Sequence, residues 1–384
     1  MHTPTTGWLL RGTDGRLTAY APRAEGIARW TEDRPGGPSW TGPELLAAPG
    51  LLPYLSVSQG PDGYAHLVGL RRQPKDNGEV ATDVVHATQF QPGRPPTMWR
   101  ALGTPYGGDW RRAEQIGLPA AVVGHSGALH VFVRNAGGGV CGRRQDAKGS
   151  WGGWLDLKGY DLLDGLSAAA TEDGRIDVIA PARQGAHRWS QEKPGGDLKR
   201  APAVPAVAVA GTATSAATGE TGVTHFWRDA KNGEVRAWRA GAEDADPSDA
   251  GALDTGVVDA GASGADASDP RGEEAPDGVV GSLGGGAGTG PVALLRTAID
   301  GHDCTVLAQR TEAGRVAVAA YPTGDESAGA FWSETGGECV GAPALALDAR
   351  GRVVLAAIAA DGGLRVARQR AEEPGLALGA WVPA

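Results

Sequence analysis

Residues 117–159 read GLPAAVVGHSGALHVFVRNAGGGVCGRRQDAKGSWGGWLDLKG. Four short segments stand out in this stretch: AAVVG, ALHVFVRN, GVCGRRQ and GWLDL. Their apolar residues alternate with others, the period of a strand with one covered face, and none is long enough for an ordinary helix. Glycine, serine, asparagine and aspartate fill the gaps. These residues supply the positive φ angles and local side-chain hydrogen bonds of tight hairpin turns. The stretch therefore reads as one antiparallel sheet of four strands.

The unit is repeated. A small-residue turn ending in glycine recurs seven times: Asp14-Gly15, Asp62-Gly63, Ser126-Gly127, Asp173-Gly174, Thr221-Gly222, Asp300-Gly301 and Arg350-Gly351. An alternating strand follows each, such as Leu129-His130-Val131-Phe132 or Ile176-Asp177-Val178-Ile179, then a second glycine turn and another strand. Repetition of one supersecondary unit is the signature of an array whose units bury their faces on each other. The expected fold is all-β: a seven-bladed β-propeller with four antiparallel strands per blade. Length alone, 384 residues, suggests two or three domains. A closed ring makes the chain 1–384 a single domain instead. Its blades are expected at 6–48, 51–105, 117–159, 160–202, 203–289, 290–336 and 341–384. Each blade is expected to begin with its innermost strand, so that the ring closes by side-chain packing between blades 7 and 1. Two spacings are long. One contains Tyr106 to Ile116 (YGGDWRRAEQI), an added loop or short helix; the other contains residues 241–278 within blade 5.

That second segment has eleven acidic residues, one arginine and no aromatic residue. It cannot bury enough apolar surface to offset its ordering entropy and is expected to be a flexible acidic insertion. It also accounts for the net charge of −9, leaving the rest of the chain close to neutral. A nucleic-acid partner, which requires a basic face, is not expected. Asp244, Asp246 and Asp249 lack the glycine and terminal glutamate of a calcium loop. Three cysteines are too few for a disulfide framework. Cys304 and Cys339 are near enough in sequence to pair, but free buried thiols are the expectation. With no CxxC or clustered His/Cys spacing, no metal and no cofactor are expected. No stretch approaches the length of a membrane span. The N-terminal residues carry no basic-then-apolar leader. The chain is expected in the cytoplasm, or exported by a route that reads no cleavable signal.

Twelve tryptophans stand against four phenylalanines, and they fall in columns. Trp30, Trp189 and Trp238 belong to third strands; Trp99, Trp154, Trp332 and Trp381 to fourth strands, with Trp40 and Trp151 at or before them. Most are expected to fill the wedge between diverging blades. An indole is also a flat partner for the C–H face of a pyranose, with an N–H at its rim. Trp151, Trp154, His187, Arg188 and Trp189 form the candidate ligand site, expected to converge on the groove between blades 3 and 4.

The motif Val131-Phe132-Val133-Arg134, Gly142-Arg143-Arg144-Gln145 and Trp151-Gly152-Gly153-Trp154-Leu155-Asp156-Leu157 resembles the repeat of bacterial PLL-type, fucose-binding lectin-like propellers. Blade 3 matches closely. Blades 1, 5 and 6 match in part, through Tyr20, Trp30 and Trp40, through Phe226-Trp227-Arg228 and Trp238, and through Phe331-Trp332. The resemblance implies a seven-bladed ring with carbohydrate sites between consecutive blades. Blade 4 lacks a tryptophan in its last strand, and fold transfers better than activity in such comparisons.

Catalytic readings are weaker. Sialidases need S-x-D-x-G-x-x-W turns, an arginine cluster and a tyrosine nucleophile, and those turns are absent. Gly124-His125-Ser126-Gly127 is not G-x-S-x-G, because position 128 is alanine. The expected function is a non-catalytic, lectin-like binding module with shallow tryptophan-lined pockets. The alternative is a propeller platform for a protein partner within a larger secreted or injected assembly.

Overall fold

The computed structural model describes residues 7–218, 222–241 and 278–384. They form seven sheets, each of four sequential antiparallel strands in chain order. Blade 3 consists of Ala120–Val123, Leu129–Arg134, Val140–Arg144 and Leu155–Lys158. The first strands of the seven blades are Leu9–Arg11, Ser56–Gln59, Ala120–Val123, Ser167–Ala170, Thr214–Ala217, Gly288–Ile299 and Ala344–Leu347. These strands surround the centre, and that of blade 7 lies against that of blade 1. Every blade is thus contiguous in sequence, and among the described residues no strand is exchanged between blades 7 and 1. The chain is a seven-bladed β-propeller.

The core is divided into wedges between consecutive blades. Phe132 and Val140 of blade 3 meet Val178 and Trp189 of blade 4, while Trp227 and Trp238 of blade 5 meet Ile179 and Val204 of blade 4. Strand alternation sends one set of side chains to each neighbouring blade. The third-strand tryptophans Trp30, Trp189 and Trp238 are almost fully buried.

The second column is displaced from the expected position. Trp99, Trp154, Trp332 and Trp381 each lie one residue before the fourth strand rather than in it. From there the indole reaches the preceding blade. Trp154 Nε1 donates to Leu102 O at 3.2 Å, Trp332 Nε1 to Leu283 O at 2.8 Å, and Trp381 Nε1 to Thr335 O at 3.1 Å. Trp189 makes the equivalent bond to Leu157 O at 2.8 Å. An acceptor in the neighbouring outer strand satisfies the buried N–H and sets the spacing of adjacent blades.

Residues 242–277 of the acidic insertion, including Asp244, Asp246 and Asp249, lie outside the described residues. They connect the third strand of blade 5, Val235–Ala240, to its fourth, Gly278–Gly284. The added segment after blade 2 holds a one-turn α-helix, Trp110–Ala113, with Asp109 as N-cap accepting from Arg112 N at 3.2 Å. All three cysteines are free thiols, Cys141 and Cys339 buried and Cys304 half-buried. Among the described residues no helix is long and apolar enough to cross a membrane, and no group of three or more His, Cys, Asp or Glu could hold a metal ion.

Candidate functional site

The five residues expected in one groove are divided among three. Trp151 and Trp154 turn toward blade 2. Trp154 bonds Leu102 O, and the Trp151 ring lies edge-on to His86 at 5.7 Å with the Arg143 guanidinium 5.8 Å from its centre. His187 and Trp189 face blade 3, with Tyr160 packed against the imidazole at 4.8 Å. Arg188, between them on the strand, points the other way, toward blade 5. It forks onto Asp177 and sits 5.2 Å from the Trp238 ring. The reason is the two-residue period of a strand: neighbours 187, 188 and 189 cannot share a face. The groove between blades 3 and 4 is therefore not the meeting point of this set.

The groove between blades 2 and 3 contains a cavity of about 340 Å³, lined in part by Tyr106, Arg112, Asn135, Trp154, Asp156 and Lys158. The helix segment builds its outer wall. Arg112 stacks over the Tyr106 ring at 4.4 Å, and Tyr106 Oη accepts from Ala136 N at 2.8 Å. On the helix's other side the Lys75 ammonium lies 4.2 Å from the Trp110 ring. Asn135 closes the end of the cavity: its Oδ1 accepts from Gly137 N and Gly139 N, both at 2.9 Å. Its Nδ2 reaches the Cys141 thiol at 3.6 Å, and burial holds that thiol above its usual pKa, hence neutral.

The floor is polar. Asp156 accepts from Lys158 Nζ at 2.7 Å and from Lys158 N at 2.9 Å, and those bonds hold its carboxyl below the usual carboxylate range. Lys158 has φ +67°, a conformation that residues with a Cβ rarely adopt. Such outliers cluster where a site requires a side chain to be aimed. Here the twist places the ammonium over Asp156 at the cavity edge. Beneath, Arg143 donates to Gly152 O at 2.7 Å and to Leu102 O, the same carbonyl that Trp154 uses. Burial lowers the pKa of Arg143. The result is a pocket with two aromatic surfaces and both donors and acceptors at its rim.

Sequence reasoning placed Trp151 and Trp154 in this groove's blade but did not identify Tyr106, Arg112, Asn135, Asp156 or Lys158 as its lining. The only signal was the extra length of Tyr106–Ile116. It also missed a buried cluster between blades 4 and 5. Ser215 Oγ is 2.8 Å from His225 Nδ1, and His225 Nε2 is 3.0 Å from Asp177. Burial alone would push the Asp177 pKa up; the hydrogen bonds from His225 and Arg188 outweigh it and hold the carboxyl low. The residue types are those of a hydrolytic triad, but Ser215 and His225 are 0 % exposed and Asp177 is 6 % exposed. With its nucleophile sealed in a wedge, the cluster is an inter-blade brace.

No protein-family model matches the chain, and no curated protein matches it in sequence. Several solved structures do match. The BP39L lectin from Burkholderia pseudomallei has a TM-score of 0.60 at 14 % identity, covering 98 % of this chain and 97 % of that one. A point mutant of the Aleuria aurantia lectin in complex with Fucalpha1-6GlcNAc has a TM-score of 0.47 at 12 % identity, covering 88 % and 98 %. The Hadza microbial sialidase Hz136 has a TM-score of 0.48 at 14 % identity, covering 80 % and 62 %. At such identity the likeness to BP39L is one of fold, and it extends over nearly the whole of both chains.

Proposed function

We propose that the chain is a lectin-like binding module and that the groove between blades 2 and 3 takes a saccharide. The observation that carries this reading is the cavity itself. The one α-helix among the described residues is placed to wall a pocket of about 340 Å³ that pairs Trp154 and Tyr106 with Arg112, Asn135, Asp156 and Lys158. That volume is at the small end of ligand sites. A sugar ring presents an apolar C–H face to the aromatic surfaces and hydroxyls to the rim. One stacking contact contributes on the order of 1 kcal/mol, and charge-assisted hydrogen bonds about 1.5–3 kcal/mol each. A single site of this kind binds in roughly the millimolar to high-micromolar range and gains strength through multivalency. Non-catalytic binding suits the pocket, whose single carboxylate, Asp156, is occupied by Lys158. The test is a glycan array followed by calorimetry on the best hit. Lys158→Ala is expected to abolish binding with unchanged melting, and Tyr106→Ala, whose ring also packs on the core beside the groove, to abolish it with a lowered melting temperature. An array with no hit, or full binding by both variants, sinks this reading.

A platform for a protein partner is the second reading. It is favoured by Phe331 and Met98, 87 % and 89 % exposed, which occupy the same column immediately before Trp332 and Trp99. An empty array together with a partner whose binding is lost in Phe331→Ser supports it.

A further inference from the structure

The centre of the ring holds a larger chamber than any groove described above. Its volume is about 580 Å³, and every blade contributes to its wall, from Trp8 and Tyr54 through Leu118, Leu166 and Pro291 to Ile358. The polar atoms of these side chains point away from it. Trp8 Nε1 donates to Ala342 O at 3.0 Å and Tyr54 Oη to Pro119 O at 3.0 Å. The two charged residues at its margin are likewise engaged, Asp164 by Arg134 at 2.7 Å and Arg23 by the carbonyl of Gly362. What faces the chamber is therefore mostly carbon.

Two glycines leave space beside it, and an ion triad lies at the other end of the first strands. At Gly211 and Gly341 a Cβ would meet no heavy atom within 4 Å. Gly211 needs its glycine for a φ of +77°, but Gly341 is outside the left-handed region, so its backbone does not demand the missing side chain. At the far end of the first strands, Arg296 of blade 6 bonds Glu172 of blade 4 at 2.7 Å and Asp303 at 2.6 Å. This ion triad ties two non-adjacent blades together beneath the inner end of blade 5.

We propose that this chamber binds a neutral aromatic or alicyclic small molecule. Enclosure by seven blades removes most of such a ligand's surface from water, as small-molecule sites do. The charged residues stand at the margin and have partners, which favours a neutral ligand. The site is separate from the saccharide groove and stands without it.

The probe is N-phenyl-1-naphthylamine, an uncharged fluorophore that brightens in apolar surroundings. The full chain is expected to give a saturable enhancement with one probe per ring. Gly341→Leu places a side chain into the open space and is expected to raise Kd at least tenfold. Ile358→Trp, which enlarges a second lining residue, serves if Gly341→Leu fails to fold. Lys158→Ala, an exposed residue of the saccharide groove that does not line the chamber, is expected to bind the probe as wild type does. Non-saturable or absent enhancement overturns the proposal. So does wild-type affinity in whichever of the two filling variants melts like the parent.

Discussion

Acidification should weaken this ring before its paired carboxylates Asp156, Asp173 and Asp177 begin to protonate. Three histidines, His66, His86 and His130, lie in second and third strands at 5–6 % exposure. Burial is the main cause that lowers their pKa values, to about 4, about 3 and about 4; the neighbouring Arg144 adds to it at His130, and His66 and Arg100 add to it at His86. His66 Nδ1 and His86 Nε2 are 3.2 Å apart, so a proton on one repels a proton on the other. In the unfolded chain each titrates near 6.5, so between pH 6.5 and about 4 the unfolded state binds protons that the folded state refuses. Stability is therefore full above pH 7 and falls as pH drops through this window. At pH 5 the deficit is about 1.5 pH units per histidine, or about 2 kcal/mol each relative to pH 8. Together they contribute about 4–6 kcal/mol, a large part of the stability of an ordinary domain. The paired carboxylates Asp156, Asp173 and Asp177, whose pKa values are depressed, lose their contribution only below this range. Urea unfolding followed by tryptophan fluorescence at pH 8, 7, 6 and 5 measures the slope. His86→Gln should reduce it by close to one proton. A midpoint that is flat from pH 8 to pH 5, or a slope unchanged in His86→Gln, would refute the reasoning.

Asp177→Asn leaves Arg188 charged between blades 4 and 5 without its carboxylate partner and should cost about 3–5 kcal/mol in chemical denaturation; a loss below about 1 kcal/mol means the brace is idle. Gly337→Ala sets a Cβ 2.3 Å from Trp381 Cε2 and should destabilise by about 1–3 kcal/mol, with a change in tryptophan emission as the ring shifts. Removal of residues 243–276 should leave the melting temperature within about one degree, since their composition offers no apolar surface to a core; a drop of several degrees in calorimetry contradicts that.

The ring was legible because turn chemistry is local. Asp14-Gly15, Asp62-Gly63 and Asp173-Gly174 announce hairpins without reference to anything distant, and all three glycines have φ between +74° and +87°. The third-strand tryptophans were legible for a related reason, since a large ring repeated at one strand position has to fill the same wedge each time. The site was less so. Arg188 reads as a neighbour of Trp189, but the pleat sends the two to different blades. Trp154 reads as a strand residue, yet the acceptor that fixes it, Leu102 O, lies in another blade and leaves no mark in the sequence. The positive φ of Lys158 and the packing of Arg112 on Tyr106 depend on how the helix segment settles against blade 3, which no local pattern encodes.

The closure of the ring has a consequence for how the chain can be cut. Trp8 and Ala384, at the two ends of the described chain, pack on the same cluster between blades 7 and 1. Cross-links at that seam include Trp8 to Ala342 O, Arg11 to Asp348 O and Arg368 to Glu32. They are side-chain bonds of the same kind that join other blades, not a shared sheet. Joining the ends and opening the chain between any other two blades would therefore preserve seven intact sheets and merely move the seam. Such circular permutants should assemble with the same brace and the same central chamber.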